Sequence, residues 1–222
     1  LPLTARIDGV ERRGICLVNA AIDPAFRARW TIQRIAASLM KQAGERGHEF
    51  CFAVGNARST GPLVAGYRDT PGFTPVAQLD ARIGLGVPKR GKWAETPSFE
   101  RQWSEESLRW RLANPERNYA VRTRCERMSV TAPSGRAGIG ALLYRGRDFG
   151  GIPAGGRATG PLHVWIGLDP AADWKRSAFL PIPRRLRPSP LNLVYLDLTR
   201  ERRLAAPDPA RILFQAIDFD AF

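Results

Sequence analysis

The stretch Ile15-Cys-Leu-Val-Asn-Ala-Ala-Ile22, Asp23-Pro-Ala-Phe-Arg-Ala-Arg-Trp30, the run from Thr31 to Glu45, Arg46-Gly47 and Glu49-Phe-Cys-Phe-Ala-Val-Gly-Asn56 decides how this chain folds. It reads as an apolar strand, a turn carrying Arg27 and Arg29, a helix, a glycine stop and a second apolar strand. Phe26, Trp30, Ile35 and Leu39 recur at helical spacing, with Ala36, Ala37 and Ala43 as strong helix formers beside them. Gly47, following Lys41, Glu45 and Arg46, closes the helix. Short buried strands on either side of one helix predict parallel pairing through a right-handed crossover, a βαβ unit. At its mouth the helix N-terminus presents N–H groups without intrahelical acceptors, and with Arg27 and Arg29 alongside an anion fits there.

Here the chain resembles a known family. Phe26-Arg-Ala-Arg-Trp-Thr-Ile32 falls where the GNAT superfamily of acyl-CoA-dependent N-acyltransferases carries its Arg/Gln-x-x-Gly-x-Gly/Ala turn. Asn56, Tyr67 and Gly72-Phe73 resemble the family's following Asn, Tyr and Gly-Phe segment. Trp30 and Ile32 stand at the turn's glycine positions, and the segment from Asn56 to Gly72 is longer than the family's. The resemblance spans residues 1–90 and implies an α/β fold, a GNAT-like mixed sheet built on the βαβ crossover. It also implies that the first strand, through Ala20, Ala21 and Ile22, lies along pantetheine. By the same resemblance Arg27, Ala28, Arg29, Trp30, Thr31 and Ile32 hold the pyrophosphate, Asn56 completes the cofactor-binding set, and Tyr67 protonates the leaving thiolate. The implied co-substrate is acetyl-CoA or another acyl-CoA, with no metal, and the implied partner is an amine acceptor, either a small molecule or a protein.

Outward from this unit, Leu3 to Ile7 alternates and reads as a strand, turning at Asp8-Gly9 into the strand from Ile15. Asn56 to Gly72 is a loop with one helical turn around Leu63-Val64-Ala65, and Pro75 to Ile83 alternates again as a strand. Gly84 to Gly91 breaks the pattern and suggests a boundary, with a GNAT-like half at 1–90 and a reduced, strand-rich GNAT-like half at 91–222. In the second half Ser104-Glu-Glu-Ser107 opens a helix that Asn114-Pro115 ends, and Asn118 to Arg122 starts a strand. The aromatic, arginine, Asn-Pro and Tyr sequence there resembles the entry to the first hairpin of double GNAT-like proteins.

Pro133 to Pro161 is glycine-rich, and Gly135-Arg-Ala-Gly-Ile-Gly140 is an alternative anion-binding turn. Gly146 and Gly150-Gly151 come too soon for a long helix, so a strand from Ile139 to Tyr144 between loops is expected. Leu162 to Ile166 and Leu191 to Leu198 read as further strands, and the apolar and acidic stretch from Ile212 to Phe222 as a last one.

The net charge is +13, and Lys occurs only at 41, 89, 92 and 175, so arginine supplies nearly all the positive charge. That attracts nucleic acid, CoA phosphates or acidic lipids, or is a compositional bias spread over solvated faces; no block of five or six like charges occurs. Cys16, Cys51 and Cys125 are too few for a disulfide framework or a zinc site, and two histidines do not make a metal centre. No apolar run reaches the length of a membrane helix and no signal-peptide core opens the chain, which predicts a cytoplasmic protein without a membrane partner. Leu1 in place of Met predicts a processed product or a fragment, one lacking the first helices and strands of a GNAT domain.

Three functions compete at this point. The first is acyl-CoA-dependent N-acyl transfer, with Tyr67 as the acid and Glu45, Glu49 or Asp69 as candidate bases. The second is a GNAT-like binding module without catalysis, suggested by Trp30 and Ile32. The third, ranked last, is nucleic-acid binding through Arg109, Arg111, the tryptophans and the Arg184 to Arg187 loop.

Overall fold

The computed structural model describes residues 1–18, 23–26, 30–91, 95–157, 159–187 and 189–219. Its strands, in chain order, are β1 (Pro2–Ile7), β2 (Val10–Leu17), β3 (Phe50–Gly55), β4 (Thr74–Gln78), β5 (Asp80–Leu85), β6 (Phe99–Gln102), β7 (Ala120–Arg124), β8 (Arg127–Pro133), β9 (Ile139–Arg147), β10 (Leu162–Leu168), β11 (Phe179–Pro181), β12 (Asn192–Asp197) and β13 (Ile212–Gln215). The α-helices are α1 (Thr31–Glu45), α2 (Thr60–Ala65) and α3 (Glu105–Leu112). The chain forms two compact units, one of residues 1–79, 96–101 and 184–212, the other of residues 80–95, 102–183 and 213–222.

In the first unit the strand order is β4-β12-β3-β2-β1-β6. β1 and β2 pair antiparallel around Asp8-Gly9, whose φ angles of 45° and 84° are those of a two-residue hairpin turn. β2 then runs parallel to β3, from Gly14↔Phe50 to Leu17↔Ala53, with α1 as the crossover. The expected βαβ unit is thus present. Gly47 closes α1 at φ 79°, and His48 N–H returns to the Ala43 carbonyl at 3.0 Å.

The helix turns a different face to the sheet than its large apolar residues suggest. Met40 and Ala43 are buried, while Trp30, Ile35 and Leu39 are 43%, 52% and 41% exposed. A Cβ on Gly44 would stand 3.4 Å from the Leu198 carbonyl, in ordinary contact, so Gly44 lies on the packed side with Met40 and Ala43. Met40 and Ala43 join Ile15, Cys51, Ala53, Phe73, Val194 and Leu196 in one core cluster, and each large side chain buried there contributes about 1.5–3 kcal/mol.

The second unit repeats the strand pattern. β7, β8 and β9 form an antiparallel meander, and β9 runs parallel to β10 from Ile139↔Leu162 to Leu142↔Trp165. β5 lies antiparallel on β10, and β11 antiparallel on β5. In the first unit β12 lies antiparallel on β3, and β4 antiparallel on β12. Each parallel pair is therefore followed by the same two antiparallel strands, and the inner one always comes from a remote stretch of chain.

That exchange corrects one sequence expectation. Pro75 to Ile83 is two strands, β4 in the first unit and β5 in the second, broken at Leu79. Leu79 is buried and its N–H bonds the Leu191 carbonyl at 2.8 Å, which takes it out of either ladder. In the second unit Arg145 and Asp169 form a buried ion pair at 2.7 Å, with side chains 9% and 6% exposed. Arg145 also donates to the Pro88 carbonyl, and its own N–H is accepted by Gln215 Oε1 at 2.8 Å. Burial, offset in part by Asp169, lowers the Arg145 pKa, and nearby Arg90 and Arg127 lower it further.

Candidate functional site

The mouth of the first parallel pair lies at the C-terminal ends of β2 and β3. Pairing between them stops at Leu17↔Ala53, although β3 continues to Gly55. The other edge of β3 is held by β12 along its whole length. Among the described residues no strand takes the freed edge at Val54 and Gly55.

α1 starts at this mouth. Its cap residue Trp30 has φ 70° and ψ 3°, the left-handed conformation that glycine adopts without cost and a bulky residue at about 1–2 kcal/mol. Trp30 itself thus has a glycine-type backbone conformation at a position where the family resemblance expects glycine. The first-turn N–H groups of any α-helix have no intrahelical acceptor. Ala20, Ala21, Ile22, Arg27, Ala28 and Arg29, all assigned to cofactor binding from the sequence, lie outside the described residues.

Asn56 ends β3. Its Oδ1 accepts from Arg58 N–H at 2.9 Å and Ser59 N–H at 3.0 Å, and its carbonyl accepts from Thr60 N–H at 3.0 Å. It therefore shapes the turn into α2. Asn192 of β12 helps from 132 residues away, donating to Thr60 Oγ1 at 3.1 Å. No local sequence signal reveals that contribution.

After α2 the chain makes a pinned turn that presents Tyr67. Tyr67 and Thr70 exchange both backbone hydrogen bonds at 3.0 Å, and Phe73 N–H bonds the Leu63 carbonyl at 3.0 Å. Gly72 is necessary here, because a Cβ would stand 1.7 Å from the Val64 carbonyl oxygen. Tyr67, Gly66, Thr70, Pro71 and Phe73 face Gln33, Ala36, Ala37 and Met40 of α1 across a narrow crevice of about 10 Å³. That is room for about one water, so the turn packs against α1 and the crevice itself does not enclose a ligand. The Arg68 guanidinium lies 5.3 Å from the Tyr67 ring centroid and adds positive charge to this wall.

Of the three candidate bases, Glu45 ends α1, roughly 20 Å along the helix from Thr31 at 1.5 Å per residue. Glu49 precedes β3, at the far end of that strand from Asn56, and is ion-paired with Arg12. Asp69, exposed and within the Tyr67–Thr70 turn, is the carboxylate close in chain to Tyr67. Cys51 is buried, and burial pushes its thiol pKa well up, the behaviour of a core residue. Among the described residues no group of three or more His, Cys, Asp or Glu side chains could hold a metal ion. None of the described helices is long and apolar enough to cross a membrane.

The second parallel pair lacks this mouth. No helix occurs among the described residues of the connection from β9 to β10. Gly135 and Gly138, at φ 78° and 75°, precede β9 in a turn, so the alternative anion-binding motif leads into a strand and has no helix terminus behind it. Where β9 leaves β10, β13 takes its place: Gly167↔Gln215 and Leu168↔Phe214 pair on the edge opposite β5. A Cβ on Gly167 would lie 2.2 Å from the Phe214 carbonyl, so the glycine admits this strand.

The aromatic and arginine cluster around α3 is largely tied up. Arg111 is 8% exposed, Arg109 pairs with Glu105 and donates to the Gly151 carbonyl, and Trp103 Nε1–H donates to Asp218 at 2.9 Å. Trp110 points outward, 64% exposed. Arg187 donates to the Leu79 carbonyl, while Arg184 and Arg185 are exposed.

No family model matches the chain, and no curated protein does. Among solved structures it is similar to a conserved protein from Enterococcus faecalis V583, described as of unknown function and a probable N-acyltransferase. The TM-score is 0.52 at 11% sequence identity, over 90% of this chain and 58% of that one. This chain thus spans less than two thirds of its neighbour's length. The likeness is one of fold, and the mixed α/β architecture with its βαβ crossover is consistent with a GNAT-like fold.

Proposed function

We propose that the first unit binds an acyl-CoA at the mouth of β2 and β3 and transfers its acyl group to an amine. The observation that carries this reading is the left-handed backbone of Trp30 at the start of α1, beside a parallel pair that parts at Leu17 and Ala53. Supporting it are the Tyr67 turn across from α1 and the fold likeness to a protein described as a probable N-acyltransferase. Of the described residues Trp30 suits such a ligand in its left-handed backbone, while the side chains of Trp30 and Ile32 add bulk beside the expected pyrophosphate position.

The reaction joins the amine nitrogen to the thioester carbonyl carbon, breaks the carbon–sulfur bond and leaves a thiolate. Holding the two reactants together supplies much of the acceleration. In this reading Tyr67 gives its hydroxyl proton to the thiolate, and Asp69 is placed to take one from the amine, directly or through water. The bulk of Trp30 and Ile32 favours the competing reading, a CoA-free module that keeps the fold alone.

Calorimetric titration with acetyl-CoA and longer acyl-CoAs, with desulfo-CoA as comparison, tests the proposal. Saturable binding is expected, followed by thiol release when an amine panel is added. Absence of binding to every acyl-CoA overturns it in favour of the module.

A further inference from the structure

The meander β7-β8-β9 of the second unit carries an arginine ladder that no acidic side chain among the described residues pairs with. Arg124 of β7 stands directly opposite Arg127 of β8, and Arg127 directly opposite Arg147 of β9. Directly opposed residues share a face and sit about 5 Å apart. Two residues along, the next row is Arg122, Ser129 and Arg145, with Thr131 beyond them on β8. Arg122, Arg124, Arg127 and Arg147 are all exposed. None of these four has a salt-bridge partner among the described residues.

Like charges set opposite one another on a sheet destabilise it, so this row raises the energy of the folded protein until an anion arrives. The nearby acids form no ion pair with the row among the described residues. Asp148 accepts the Gly150 N–H, and Glu126 sits in the Cys125-Glu126 turn at φ 59°. Nor is there an apolar anchor, since the exposed large hydrophobic residues include none between Ala120 and Arg147.

We infer that this face of β7-β8-β9 binds the sugar-phosphate backbone of a nucleic acid without reading its sequence. Arginine suits phosphate through its paired N–H donors, and serine and threonine on the same face suit phosphate and sugar oxygens. A flat array of cations needs a ligand that delivers several negative charges at close intervals, as a polyphosphate backbone does. The site is remote in sequence and element from the β2-β3 mouth and does not depend on the acyl-CoA reading.

The test is fluorescence anisotropy with a labelled, mixed-sequence single-stranded RNA over a range of salt. Four phosphate contacts predict a slope of log affinity against log salt of about −3, at roughly 0.7 per contact. Arg124→Glu with Arg147→Glu should weaken binding at least tenfold and flatten the slope by about half. Arg184→Glu with Arg185→Glu changes the net charge equally and should leave affinity within twofold. Arg127→Glu, which sets a carboxylate between two arginines, should raise the melting temperature while lowering affinity, separating loss of binding from loss of fold. Equal losses in both double variants, no RNA binding at low salt, or tighter binding to poly-glutamate or anionic vesicles than to RNA would overturn the inference.

Discussion

The two parallel strand pairs share one pattern and differ in what closes them. β2 and β3 are bridged by a fifteen-residue helix whose N-terminus stands at their open end. β9 and β10 are bridged by a glycine-rich connection, and β13 fills the edge that β9 vacates. In the first arrangement the described pairing ends at Leu17↔Ala53 with a helix starting nearby, whereas in the second β13 pairs on the edge that β9 leaves. One architecture, met twice in a single chain, thus separates what builds the sheet from what we propose as a binding mouth.

The strongest way to break the contrast is through the closed pair. Asp169→Ala leaves the Arg145 guanidinium buried without its carboxylate, so stability should fall by about 3–5 kcal/mol in chemical denaturation. Acyl-CoA affinity below the transition should stay unchanged, and a parallel loss would show that the second unit shapes the mouth. Next in size, Tyr67→Phe should reduce kcat about 100-fold with little change in KM; an unaltered kcat would remove Tyr67 from proton transfer. Trp30→Gly relieves the left-handed strain, so it should stabilise the protein by up to about 1 kcal/mol and tighten acyl-CoA binding. Weaker binding would mean that the indole itself holds the ligand.

The smallest effect is a pH dependence located in the second unit. Burial lowers the pKa of His163, opposed by its hydrogen bond to the Gly86 carbonyl. The unfolded chain therefore binds more protons near its own histidine pKa of about 6.5, so stability is full above that value and declines as pH falls through it. Thermal melts from pH 7.5 to 5.5 should show the decline, reduced in His163→Gln.

Much of the first unit is legible in the chain itself. The bounds of α1 follow from the helix formers and Gly47, and the hairpin from Asp8-Gly9. The buried face of α1 is not legible, because Met40 and Ala43 pack inward while Ile35 and Leu39, the larger apolar residues at helical spacing, lie outside. Nor is the break at Leu79, which depends on Leu191 and on the exchange of β5 and β12 between units. For the candidate site, the order Asn56, Tyr67, Gly72-Phe73 maps onto a strand end, a pinned turn and the start of β4. The positions of Glu45 and Glu49 at the wrong ends of their elements become visible only once helix and strand directions are known. The unpaired arginine row on β7-β8-β9 also requires the strand register, since its members lie as far apart as Arg124 and Arg147 in sequence.

Amide hydrogen exchange with and without acetyl-CoA tests the central claim most directly. Slowed exchange should fall on the first turn of α1, on Val54-Gly55 and on the Tyr67–Phe73 turn, with the stretch from Gly135 to Gly140 unchanged. Protection confined to Gly135–Gly140, or none at saturating ligand, would contradict an acyl-CoA site at the β2-β3 mouth.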